Sequence, residues 1–496
     1  MSNDSGTYKE IFKSTFLFGF VQVLNIISKV GINKAVAIFL GAEGLGVISL
    51  YQSTINLIAS ASGLGISQSA VRDISEANSE SDGVRLSRTI EITTKIIWFT
   101  ALFGAVVTLF MSKLLSKWTF GNEDYVIPFC WLSIVVFLNV LSEGKLAVLK
   151  GMRELRALAK ASLLGSLVGL ISGVPFYYFL GYEGVLPSLI TTALSTLFFS
   201  WFYVRKIKYT AVELSFKKSF REASGMIKMG VALMYVSFLG FITDYIIRIY
   251  ISNNSSLQMV GFFVAGSTII SSYFGIIINA MSTDYYPRIS AISNDDRRLA
   301  EEVNKQSEVG LILVGPLVVL FMFVLPLMIK ILYTENFLVS IDYISYAIFG
   351  TLILVCSNSM GMVLLAKQRS NVFVYSVTFS RLLGIILNIL SFKYFGLIGL
   401  GIAAIIMAII HIVLMAIIMF KLYKITFKPE LIVMLFITIG LCILAFFVKD
   451  FSNIFTRYAS GSLLFIVSLL YSVYNTNRVM NINVIGVITS KFNKND

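Results

Sequence analysis

Only 14% of the 496 residues are charged, and the chain holds one histidine, three cysteines and seven prolines. Globular domains usually carry about a quarter charged residues, so this shortage excludes a chain solvated mainly by water. The hydrophobic 57% must then face lipid as well as one another. Few prolines leave long helices unbroken. A membrane barrel is excluded as well, because it would show alternating segments of about ten residues instead of apolar runs of about twenty. His411, the lone histidine, has no Ser or Cys nucleophile pattern around it, and no Walker-type loop or zinc spacing occurs. Cys130, Cys356 and Cys442 lie far apart in apolar stretches and read as small buried hydrophobes. Residues 1–10 are polar, with no charged leader and apolar core of a signal peptide, so insertion is expected to use the first membrane helix. Transport without ATP hydrolysis is favoured over catalysis, and no cofactor or metal is expected.

What remains is an all-α polytopic membrane protein. A helix crossing a core of about 30 Å needs about 20 largely apolar residues. Fourteen runs fit: 12–39, 45–69, 88–113, 125–147, 157–180, 183–205, 225–252, 257–285, 307–333, 341–366, 371–394, 397–421, 429–448 and 457–475. An even number puts both termini on one side. That side also gathers the basic residues Lys145, Lys150, Arg153, Arg156 and Lys160, the linker from Arg205 to Lys228, and Arg288, Arg297, Arg298 and Lys305. The other side holds only Lys113, Lys117, Lys393, Lys449 and Arg457. Lys/Arg excess marks the cytoplasmic side, so both termini are predicted there and the net charge of +13 follows from orientation, with no nucleic-acid partner implied.

A shift of 215 residues lays Leu180-Gly-Tyr-Glu-Gly-Val185 over Phe395-Gly-Leu-Ile-Gly-Leu400, and Gly46 over Gly261. A G-x-x-G turn also occurs at Gly41–Gly44. The shift spans one six-helix unit and preserves orientation, as for parallel repeats about an axis along the membrane normal. Two six-helix lobes are expected, 1–205 and 225–424, joined by a basic linker at 206–224, with two extra helices and a tail at 425–496.

Ionisable groups inside a span are costly unless they face a wet cavity or a partner. Lys29 and Lys34 fall in the first span, Asp244 and Arg248 one turn apart in the seventh, and Arg381 mid-way along the eleventh. The spacing predicts an Asp244–Arg248 pair. The offset lays Lys29 over Asp244, at equivalent depth in the two lobes. Arg248, Arg381, Lys29 and Lys34 are candidate cavity-lining cations. Arg72, Asp284 and Arg288 stand at cytoplasmic helix ends, as a gate or as caps. Glu143 and Lys145 are expected at the interface, and His411 as a polar core residue.

The segment Ala37-Ile-Phe-Leu-Gly-Ala-Glu-Gly-Leu-Gly-Val47, followed by a helix ending Gly63-Leu-Gly-Ile-Ser-Gln-Ser-Ala-Val-Arg-Asp-Ile74, resembles the first two helices of Wzx-type O-antigen and enterobacterial common antigen flippases. These belong to the multidrug/oligosaccharidyl-lipid/polysaccharide (MOP) exporter superfamily. Gly-rich helix turns of this kind also suit lipid II flippases and Gram-positive polysaccharide exporters. The resemblance implies a V-shaped protein of the bacterial cytoplasmic (inner) membrane that moves an undecaprenyl-pyrophosphate-linked oligosaccharide to the outer leaflet by alternating access. Arg248, Arg381, Lys29 and Lys34 suit the pyrophosphate, since cations of this kind hold phosphate oxygens. Asp244 and Asp284 are candidates for H⁺ or Na⁺ coupling. Membrane lipids, a glycan polymerase and a chain-length regulator are the partners implied. A drug/cation antiporter would favour an acidic cavity, and a membrane glycan polymerase or ligase would expose a large outer loop; neither feature is seen in the sequence.

Overall fold

The computed structural model describes residues 24, 27–80, 83–207 and 215–480. The first half of the 12–39 span, Lys208 in the linker and the tail 481–496 lie outside the described residues, as do the Lys217 and Lys218 side chains. Among the described residues every regular element is helical. After a helical stretch at 27–39 come α1 (Gly41–Gly63), α2 (Ile66–Ser79), α3 (Gly83–Phe110), α4 (Ser112–Phe120), α5 (Val126–Gly151), α6 (Leu155–Leu180) and α7 (Val185–Val204). Then follow α8 (Phe216–Glu222), α9 (Ser224–Asn254), α10 (Leu257–Ala291), α11 (Asp296–Leu332), α12 (Ile341–Ala366), α13 (Ser370–Tyr423), α14 (Pro429–Val448) and α15 (Ile454–Met480).

Ten stretches among the described residues are long and apolar enough to cross a membrane, which makes this a multi-pass membrane protein. The first expected span, 12–39, lies partly outside the described residues, and α1, which overlaps the second, 45–69, is not among the ten. The ten stretches hold the other twelve of the fourteen expected spans, because 155–204 and 370–423 each contain two. The breaks fall at Gly181 (φ 57°, ψ −129°) and Gly396 (φ 60°, ψ −141°), a conformation essentially restricted to glycine. Three residues on, Gly184 and Gly399 let the chain fold back. A Cβ at Gly184 would stand 2.2 Å from the Phe176 carbonyl oxygen, and one at Gly399 2.0 Å from that of Ser391. All three pairs, 176/391, 181/396 and 184/399, keep the 215-residue offset, so the duplication seen in sequence recurs as backbone geometry.

By its contacts the chain divides into two compact units, 1–261 and 262–496. In the first, α2, α3 and α5 enclose an aliphatic core that includes Ile66, Ile74, Ile96, Leu141 and Leu149. The α6–α7 hairpin closes tightly because Gly165, Gly169 and Gly173 face Thr196, Thr192 and Ser188, the small-residue seam that lets membrane helices approach. Helix α9 packs on α1 and α2, so this unit reaches past the basic linker at which the sequence reading divided its lobes. In the second unit α11 is flanked by α12, α14 and α15, and α12 lies along α13. Its core includes Leu299, Val303, Met360, Val363 and Met415.

Candidate functional site

Unit 1 encloses an open cavity of about 640 Å³. The α1 residues Gln52, Asn56 and Ser60 line it, as do Ser67 and Gln68 of α2, Asn139, Ser142 and Glu143 of α5, and Thr196 of α7. Met234, Ser237 and Phe241 of α9 form another wall, and Lys29 projects from the helical stretch before α1. Gln52 Nε2 donates to Asn56 Oδ1 at 3.1 Å, which orients both carboxamides on one helix face. The polar part of the lining is a set of amides and hydroxyls, each able to donate and accept, with one ammonium and one carboxylate, beside apolar Ala59, Val140, Met234 and Phe241. Such a surface solvates polyhydroxylated molecules inside a body whose remaining faces are apolar.

The candidate cations separate in the structure. Lys29 is exposed into this cavity. Lys34 is half-buried one turn further along, outside the lining set. Arg248, on α9, donates from Nη1 to the Ser49 carbonyl oxygen of α1 at 3.0 Å. The predicted Asp244–Arg248 pair is corrected accordingly: the long guanidinium arm reaches the neighbouring helix, while Asp244 is exposed and forms no ion pair within 4.0 Å among the described residues. Arg381 is exposed on α13 in unit 2. His411, also in unit 2, has Nδ1 2.8 Å from the Ser357 hydroxyl, as a polar core residue should.

Of the expected gate residues, Asp284 and Arg288 lie toward the end of α10, whereas Arg72 lies mid-way along α2 and not at its end. Arg72 Nη1 lies 2.9 Å from Met229 Sδ and borders a second cavity of about 440 Å³ with Asp73, Arg85 and Glu222. Burial pushes the Asp73 carboxyl up from its ordinary value, against the opposing pull of Arg72. Arg85 pairs with Glu76 and Glu80, and Arg88 grips Glu222 of α8 with two nitrogens, clamping the linker helix to α3. In unit 2, Arg288 joins α10 to α11: Nε meets Asp284 at 3.1 Å, Nη1 meets Glu302 at 3.0 Å and Nη2 donates to Gln306 at 3.0 Å.

Several lining residues carry no charge and so leave no trace in the pattern of ionisable groups. Gln52, Asn56, Asn139 and Thr196 are uncharged, and their signal was a polar side chain inside an apolar run. Glu143, expected at the interface, lines the cavity instead. Glu308 is buried on α11 beside Ser307, whose hydroxyl lies 2.8 Å from that of Ser359. Cys356 and Cys442 are buried and free, and Cys130 is half-buried. Among the described residues no group of three His, Cys, Asp or Glu side chains is placed to hold a metal ion.

Helices broken at Gly181 and Gly396, and a partly polar cavity among the apolar spans of unit 1, define a multi-pass helical membrane protein. The fold is shared with the lipid II flippase MurJ in an inward-closed conformation, at TM-score 0.72 and 14% identity over 95% of this chain and 100% of that one. It is shared too with an inward-facing multidrug resistance MATE family transporter of the MOP superfamily, at TM-score 0.63 and 16% identity over 81% and 96%. Residues 35–342 match the family described as polysaccharide biosynthesis protein, and the chain belongs to that family. Among curated relatives, the lipid III flippase of Escherichia coli K12 is 21% identical over 352 residues, 69% of this chain and 82% of that protein. A proposed O-antigen transporter of Shigella flexneri is 24% identical over 306 residues, 60% of this chain and 71% of that protein.

Proposed function

We propose that the protein is a flippase for an undecaprenyl-pyrophosphate-linked oligosaccharide of the O-antigen repeat-unit type, carried from the inner to the outer leaflet of the cytoplasmic membrane. The observation that carries this reading is the amide- and hydroxyl-lined cavity of unit 1, about 640 Å³ in volume. A glycan head loses its water on entering a membrane, and only a wall of paired donors and acceptors replaces those hydrogen bonds. Kinship with proteins named lipid III flippase and O-antigen transporter supports the same class of cargo.

Lys29 meets the cargo's pyrophosphate in this reading, and Lys34, Arg248 and Arg381 meet it as the protein reorients. Arg72, Asp284 and Arg288 guard the cytoplasmic end, where both termini lie. Asp244 and Asp284, joined by Glu143, exchange H⁺ or Na⁺ to drive the cycle. The protein performs transport, with no chemistry on the cargo, and works beside a glycan polymerase and a chain-length regulator.

Complementation in a host lacking its own flippase tests the proposal at matched membrane expression. Wild type restores surface glycan, and Lys29→Gln, Arg248→Ala and Arg381→Ala each reduce it by about tenfold or more, the loss expected for one charge-assisted phosphate contact. Failure of wild type with every lipid-linked glycan tried overturns the reading.

A further inference from the structure

At the basic end of unit 1, helices α8 and α9 border an open groove of about 910 Å³ that belongs to neither cavity described above. Its walls are apolar, formed by Phe220, Ile227 and Val231, and it carries Arg221, Ser224 and Lys228. The helix bearing it is held firmly. Glu222 is gripped by Arg88, and the Phe220 ring meets Phe99 edge-to-face at 6.0 Å between centroids. The chain is continuous in hydrogen bonding across the junction, with Ala223 N–H donating to Ser219 at 2.9 Å and Ile227 N–H to Ala223 at 2.8 Å. Arg221 and Lys228 are seven residues apart on this nearly unbroken helix, which is two turns, so they share a face.

The charges around the groove are unevenly compensated. Arg85 and Arg88 are occupied by Glu76, Glu80 and Glu222. Arg205 lies over the Trp201 ring at 5.4 Å and Lys206 over Phe202 at 4.2 Å. Arg221 and Lys228 are exposed and form no ion pair among the described residues. Two exposed cations, without an ion pair among the described residues, beside exposed Phe220 and Val231 make an amphipathic surface that water alone satisfies poorly. At about 100° per residue, Lys228 lies a third of a turn or more round α9 from Met234, Ser237 and Phe241, so its ammonium group is not on the cavity face.

We propose that this groove is a binding site for one anionic glycerophospholipid of the leaflet at that end, its phosphate between Arg221 and Lys228 and its acyl chain along Ile227 and Val231. Any basic residue near an anionic surface gains about 1 kcal/mol without a defined site. A site differs in that it is saturable, depends on two particular side chains and needs the apolar wall.

The test is native mass spectrometry of the full-length protein, released from vesicles of phosphatidylcholine containing phosphatidylglycerol into a mild detergent. Wild type retains one phosphatidylglycerol. Arg221→Ala with Lys228→Ala lowers the retained fraction at least tenfold, while Arg205→Ala with Lys206→Ala, two basic residues already engaged by aromatic rings, leaves it unchanged. Val231→Ser, which spares the charges, lowers it severalfold, and unaltered elution volume and helicity confirm that each variant is folded. Equal losses in the two double variants mean diffuse surface attraction and overturn the proposal, as does wild type retaining no anionic lipid. Added undecaprenyl pyrophosphate leaves the bound phosphatidylglycerol in place. Displacement of it through Arg221 and Lys228 would make the groove an entry for polyprenyl cargo and overturn the assignment.

Discussion

Gly46 and Gly261 stand 215 residues apart in sequence and make reciprocal contacts. A Cβ on Gly46 would lie 2.1 Å from the Leu257 carbonyl oxygen, and one on Gly261 would lie 1.9 Å from that of Ala42. Ala42 and Leu257 are separated by the same 215 residues, so each glycine meets the partner of the other. Reciprocity of this kind is what a two-fold relation between α1 and the start of α10 produces. No side chain fits either position without moving backbone.

Gly46→Val and Gly261→Val should therefore each destabilise the protein by about 2 kcal/mol or more, the range of overpacking at a rigid contact. Gly275→Ala, on α10 with nothing within 4 Å, should be neutral or stabilising by up to about 1 kcal/mol from helix propensity. Unfolding midpoints in detergent compare the three; equal losses at Gly275 and Gly46 would refute the contact argument.

Gly181→Ala and Gly396→Ala isolate the backbone, because nothing lies within 4 Å of a Cβ at either site. Their shared φ and ψ predict similar penalties of about 1–3 kcal/mol each. The sites are far apart in the chain and in separate compact units, so the double variant should show the sum of the single effects within about 0.5 kcal/mol. A large penalty at one site alone would mean that the two turns are not equivalent.

At the turn after α4, Glu123 lies 2.7 Å from Lys117 and 3.2 Å from Lys113, and these hydrogen-bonded ammonium groups hold its carboxyl below the usual 4.5. A carboxylate depressed in the folded state adds stability above its unfolded value, and the gain is lost as pH falls through the folded one. Wild type should thus melt slightly above Glu123→Gln at neutral pH, and the gap should close as pH falls below the usual carboxylate range. A gap unchanged across that range would assign the difference to packing.

Removing Arg288 takes one of two cations from Glu302, whose side chain is only 20% exposed and keeps Lys305 at 3.3 Å, and takes the ion-pair partner from Asp284. Arg288→Ala should cost about 1–2 kcal/mol, and Arg288→Lys should recover little of it, because one ammonium cannot serve Asp284, Glu302 and Gln306 together. The α10 end should also become more accessible to a cysteine-reactive probe placed at Ser290. Full recovery with lysine would reduce the contact to simple charge.

The α13 residues show how legible the sequence was. Leu397 to Phe420 held no charge and announced a span directly, and the Gly396 turn was readable through its match to Gly181. Arg248 was noticed for its charge, but its partner was not predictable: spacing offered Asp244 four residues away, whereas the contact is to a backbone carbonyl on α1. Lysines on the less basic side tell a similar story. Lys449 was counted as one loose positive charge, yet it is buried and bonded to Asp342 and Asp450 at 2.8 Å each, with burial lowering its proton affinity and the two carboxylates more than restoring it.

The order of residues by itself determined that the chain is helical, crosses a membrane many times and contains a duplicated unit, because hydropathy over about twenty residues and glycine at a turn are local quantities. The tertiary structure alone decided which polar side chains share a cavity. Gln52, Gln68, Asn139, Thr196 and Ser237 come from five helices, and no spacing along the chain encodes their meeting. Only packing brings them to one wall, since a polar side chain gains from a shared wet cavity what lipid cannot offer it.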